Sequence, residues 1–171
     1  MRIEHRFGDI AGTNEGVQTM FGFDNVTDMR IALEYGVTKN LMLGFGRCKG
    51  TGVPYRSLVD GFVKYRFLEQ VKDSMPISLT LIGGTSFTYQ KASSDISNVN
   101  NFPEVIHRFA YYSQLNLAKR FGKFLSVSIM PTLVHRNYVA DADINTLITL
   151  GGAMRFRLSK KFFLLTEYYL Q

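Results

Sequence analysis

Apolar and polar residues alternate with period two through most of this chain, a pattern that calls for β-strands with one greasy and one polar face. Met29, Ile31, Leu33, Tyr35 and Val37 alternate with Arg30, Ala32, Glu34, Gly36 and Thr38. Val59, Gly61, Val63, Tyr65 and Phe67 alternate with Asp60, Phe62, Lys64 and Arg66. The pattern returns at Leu125–Leu133 and at Ile148–Leu158. It predicts about nine strands, at 2–10, 27–38, 41–49, 57–69, 76–90, 106–120, 124–136, 147–158 and 162–171. Helical periodicity is weak, with room for one turn between Glu15 and Phe23. No linker or second domain interrupts the pattern, so residues 1–171 read as a single β-barrel domain.

The connections carry topology. Short turns are expected at Thr38–Asn40, Val71–Ser74, Phe121–Phe124 and Ser159–Lys161, and longer polar loops at 11–26, 49–56, 91–105 and 137–146. Long and short alternate along the chain. In an antiparallel up-and-down meander this gathers short turns at one end and long loops at the other, the asymmetry of a transmembrane barrel. A soluble sandwich has no reason to sort its loops. No run of about 18 apolar residues could form a transmembrane helix, but barrel strands are apolar only at every second position.

A lipocalin-like soluble barrel shares the alternation with its faces exchanged. The polar face decides for the membrane. It mixes long charged residues with small ones such as Gly44, Gly46, Ala110, Gly151 and Ala153, which suits a crowded interior of interlocking ion pairs. Tyr35, Phe67, Phe121, Phe124, Phe162 and Phe163 near the short turns, and Phe87, Tyr89, Phe109, Tyr111 and Tyr138 near the long loops, suggest two interfacial girdles.

Composition removes some classes. At 46% hydrophobic and 20% charged the chain is not disordered. The net charge of +6 falls singly along the strands, without the concentrated patch of a nucleic-acid binder. Cys48 is the only cysteine, which excludes an internal disulfide and a paired-cysteine metal site. Met1–His5 carries no export signal, which leads to the expectation that one was removed or that Met1 is a non-native or internal start.

Several strings resemble one known family. Ile3–Gly8, Phe21–Asn25, Leu33–Leu41, Asp60–Leu68, Gln114–Phe121 and Pro131–Asn137 are similar to an uncharacterised outer-membrane β-barrel family of Bacteroidetes-type bacteria, domain of unknown function 5777. The resemblance runs over essentially the whole chain. It implies a Gram-negative outer-membrane barrel with a cleaved signal, no established activity and members longer than this chain. With single-chain bacterial barrels even in strand number, an odd count ending on a strand leads to the expectation of an incomplete barrel.

Local motifs give no chemistry. His5-Arg6, His107-Arg108 and His135-Arg136 read as rim residues snorkelling at the interface. Asp141, Asp143 and Asn145 lack the glycine and glutamate of a calcium loop. Gly44–Gly50 continues a strand and precedes no helix, unlike a phosphate loop. No Gly-x-Ser-x-Gly motif occurs, and Ser113 falls on the apolar face. The expectation is a non-enzyme without metal or cofactor.

The inward charges are the candidate site. Arg30, Lys64, Arg66, Arg108, Arg120, Arg155 and Arg157 outnumber Glu34, Asp60 and Glu167, so a lumen lined by them would be basic. Two readings follow: a narrow passive pore or uptake route for small, anionic solutes, or a structural and interaction barrel braced by Arg–carboxylate pairs. A lipid-modifying enzyme and a soluble ligand-binding barrel rank behind them. The expected partners are outer-membrane lipid and small solutes, not nucleic acid.

Overall fold

The computed structural model describes residues 1–7, 17, 20, 24, 26–50, 52, 54 and 56–170, apart from the side chains of residues 26 and 27. Among the described residues nine strands form one sheet: β1 (Arg2–Phe7), β2 (Val26–Gly36), β3 (Leu41–Lys49), β4 (Ser57–Leu68), β5 (Ser78–Thr88), β6 (Phe109–Phe121), β7 (Leu125–Arg136), β8 (Thr146–Arg157) and β9 (Phe163–Leu170). Each pairs antiparallel with its neighbour in chain order, from β1 at one edge to β9 at the other. The sheet curls into an open half-barrel, and among the described residues β1 and β9 are not paired.

Most strands fall within two or three residues of their expected spans. The expected continuation of the first strand through 8–10, and most of the 11–26 loop with its helical turn, lie outside the described residues. One start differs materially. Val105–Arg108 forms a 3-10 turn where β6 was expected to have begun. Pro103 cannot donate to a ladder, and the Glu104 N–H donates to His107 Nδ1 at 3.1 Å, which closes a local turn instead.

Register assigns the faces. In-register rows such as Arg30, Cys48 and Leu58 place one parity of every strand on the concave side. The convex side carries Ile31, Leu33, Leu43, Phe45, Val63, Ile129, Ile148 and Leu150, all exposed, with Ile148 at 73% and Leu33 at 66%. Among the described residues only Ala32, Phe102 and Met130 are buried apolar side chains, too few and too scattered for a soluble core. A sheet this broad with its greasy face outward is intolerable in water and normal in lipid. The soluble-barrel alternative is thereby excluded.

The aromatic belts need one correction. Tyr35, Tyr65, Phe67, Phe121 and Phe156 share the convex short-turn end, and Phe87, Phe109 and Tyr111 the opposite rim. Phe163, expected in a girdle, instead pairs with Arg157 on the concave side. It lies directly past the Ser159–Phe162 turn, whose length sets its parity.

Three concave aromatics lie flat on glycines of the adjacent strand, in direct register: Phe62 on Gly44, Tyr112 on Gly84 and Tyr169 on Gly151. A Cβ at any of these glycines would run into the ring. The missing side chain is what lets a large ring fold down inside a narrow curve. Gly84→Ala should therefore cost about 1–2 kcal/mol through overpacking. Gly83→Ala, whose Cβ would meet open space on the convex side, should cost nothing measurable. Urea midpoints of the two variants in lipid vesicles check the difference.

Candidate functional site

The concave face holds the candidate residues in two groups of different character. Arg30, Glu34, Asp60, Lys64, Arg66, Arg120, Arg155, Arg157 and Glu167 all occupy the concave parity of their strands. Arg108 does not share a strand with them. From the 3-10 turn its Nη1 donates to the Thr88 and Gln90 carbonyls at 3.2 and 2.7 Å, and its guanidinium caps the Phe102 ring. It therefore pins the β5–β6 loop at the long-loop rim.

The first group is an ion-pair chain across β1–β4. Arg30 Nε donates to Asp60 Oδ2 at 3.0 Å, and Arg30 Nη1 to Glu4 Oε2 at 2.9 Å. Arg2 pairs with Glu4 and reaches Glu34 at 3.6 Å. Arg30 and Asp60 sit on strands separated by β3, where Asp60 is in register with Gly46 and Arg30 with Cys48, two residues further along the same face. A Cβ there would stand 2.8 Å from both Arg30 Nη2 and Asp60 Oδ2. Gly46 is thus the gap through which the two charges meet. This chain lines a hollow of about 980 Å³ together with Lys64, Ile82, Tyr112 and Gln114. From the far edge Tyr169 reaches across Gly151 to β6, its hydroxyl accepting from Gln114 Nε2 at 3.0 Å.

The second group lies at the short-turn end of β6–β9. Arg120, Ser126 and Arg155 form one in-register row across β6, β7 and β8. Arg157 follows two residues on, and Lys123 is delivered by the Phe121–Phe124 turn, where Gly122 takes φ 61°. These residues surround a hollow of about 520 Å³ with Phe163 as one wall. Arg155 lies 4.0 Å over the Phe163 ring and Arg157 donates through Nε to the Ser159 carbonyl at 3.0 Å. None of the four cations makes an ion pair among the described residues. Glu167 shares a neighbouring hollow of about 420 Å³ with Arg155 without pairing with it. Lys64 likewise makes no ion pair among the described residues, whereas Arg66 is held by Glu69 at 3.1 Å and by Asn40.

The rim histidines have ordinary partners. His107 stacks on Tyr138 at 4.9 Å, and His135 Nδ1 lies 2.8 Å from Thr146 Oγ1 on the convex side. Asp143 binds Arg136 at 3.0 Å, which engages one of the loop carboxylates. In the β5–β6 loop, Ser97 donates through its hydroxyl and N–H to Asp95, holding that carboxyl below its usual range.

Sequence reading missed Arg2, Glu4, Tyr112, Tyr169 and the role of Gly46. Parity would have placed Arg2 and Glu4 inward, since both alternate with Ile3 and His5. No local signal exists for Gly46, because its importance depends on side chains from two other strands.

A lipid-type convex face around a charged, curled interior defines a membrane-bound β-barrel domain. The chain belongs to the family of membrane bound beta barrel domains called DUF5777, whose pattern matches residues 1–171. No curated protein and no solved structure matches it.

Proposed function

We propose that this domain walls a narrow, non-enzymatic passage across the outer membrane that favours small anions. The reading rests on one observation: at the short-turn end of the concave face Arg120, Arg155 and Arg157 make no ion pair with a carboxylate among the described residues. Arg–carboxylate pairs that merely brace a wall cancel their own field, as the Arg2–Glu4–Arg30–Asp60 chain does. Unpaired arginines do not, and a low-dielectric wall focuses their potential along the curve. Ordered tight turns on this side are those that face the periplasm in outer-membrane barrels, and the apolar convex face meets lipid.

The purified protein in planar bilayers under a salt gradient should give small openings whose reversal potential shifts toward the anion equilibrium value. Cation-selective openings, or none from a barrel that shows heat-modifiable gel mobility, would sink the passage. In the latter case the second reading takes over: an interaction barrel that meets partners through the β5–β6 loop. That reading draws on the Phe102, Arg108, His107 and Tyr138 contacts that order the loop.

A further inference from the structure

We propose that Arg120, Lys123, Arg155 and Arg157 form a binding station for a multivalent phosphoryl oxyanion at the short-turn mouth of the concave face. The proposal deepens the passage reading and rests on it for the route by which the anion arrives. Four cations around one hollow of about 520 Å³, with no ion pair among the described residues, repel one another unless a counter-anion sits between them. A monovalent ion would offset one of them. A phosphoryl group offers several charged oxygens on a single centre, and planar guanidinium forks match that geometry two oxygens at a time.

The row geometry suits such a group. Arg120 and Arg155 flank Ser126 in direct register, so they stand two strand spacings apart, roughly 10 Å between backbones. Between them is only a serine, which leaves space above the sheet and adds one hydroxyl donor to the floor of the hollow. The Arg155 guanidinium lies over Phe163 of β9, and Arg120 faces the same hollow from β6.

The arms are also held in place before any ligand arrives. The Phe163 ring lies under Arg155 at 4.0 Å and near Arg157 at 5.9 Å. The Ser159 carbonyl fixes Arg157 Nε, which leaves its terminal amino groups to face the hollow. Backbone pairing of Arg157 N–H with the Phe124 carbonyl at 2.7 Å ties the end of β8 to the turn that carries Lys123. Preorganised donors cost less entropy to use, which distinguishes this corner from a scatter of surface lysines.

The test uses the whole chain in a phosphate-free maltoside detergent, titrated calorimetrically with pyrophosphate at fixed ionic strength. Saturable binding is expected, weakened at least about tenfold by Arg120→Gln or Arg155→Gln, since each removes charge-assisted hydrogen bonds. Arg155→Lys should restore only part of it, because an ammonium cannot grip two oxygens in one plane. Lys119→Gln removes the same charge from the convex side at the same height and should leave the affinity unchanged. Heat-modifiable mobility confirms that each variant is folded. No saturable binding by the parent protein, or a folded Arg155→Gln variant that binds like the parent, overturns the station.

The same chemistry reaches the site from free solute or from a lipid headgroup. Competition by phosphatidylglycerol vesicles would assign it to lipid, and failure to compete would assign it to solute; either result upholds the station. Pyrophosphate binding without openings would retain the station and remove the passage. Anion-selective openings without pyrophosphate binding would do the reverse.

Discussion

Gly46→Val is expected to cost the folded domain about 2–3 kcal/mol, below the full penalty for splitting a buried ion pair because Arg30 and Asp60 keep 20% and 16% side-chain exposure. A Cβ alone already presses on Arg30 Nη2 and Asp60 Oδ2 at 2.8 Å. Those atoms end flexible side chains, so Gly46→Ala should be the milder change. Two further methyl groups leave no path over β3. Arg30 then keeps Glu4 but loses Asp60, which is left as a carboxylate facing only water and Lys64 across the hollow. Urea unfolding in vesicles measures the loss. A double-mutant cycle identifies its origin: with Arg30→Met and Asp60→Leu already in place, Gly46→Val should cost less than half as much. An equal cost in both backgrounds would mean that strand pairing suffers, not the ion pair.

The second large effect concerns selectivity. Arg120→Gln, Arg155→Gln and Arg157→Gln together should lower the anion-over-cation permeability ratio on the order of tenfold at 0.1 M salt. A unit charge about 10 Å from a permeating ion is worth under 2 kcal/mol at an effective dielectric of about 20, and screening at that salt cuts it severalfold. Three such charges still leave a factor near ten. At 1 M salt the Debye length is about 3 Å, and parent and variant should converge. Reversal potentials at the two salt concentrations check both halves. A ratio that the triple variant leaves intact would place the selectivity elsewhere, with Lys64 the next residue to neutralise.

These two expectations draw on different kinds of information. The inward position of Arg120, Arg155 and Arg157 follows from period-two alternation, because a strand has only two faces and neighbouring residues cannot share one. The same rule places Ile31 and Ile148 against lipid, and the alternation of short and long connections sorts the two ends of the meander. The limits of local reading show at Arg108 and Phe163. Alternation puts Arg108 in a strand because no periodic signal separates a 3-10 turn from the start of a strand. Sequence position puts Phe163 in a girdle because one aromatic beside a turn fits either face until the turn's length is known.

By itself, then, the sequence determined the strand content, the alternating loop lengths and the face of nearly every inward charge, since these depend only on neighbours along one strand. Tertiary structure alone decided which charges are paired. Arg30 and Asp60 lie thirty residues apart and meet only because Gly46, from a third strand, leaves the space between them open. Arg120 and Arg155 share a row only through the register of β6, β7 and β8. Register is a property of strand pairs, and it separates a neutralised brace at one wall from an unneutralised cationic corner at the other.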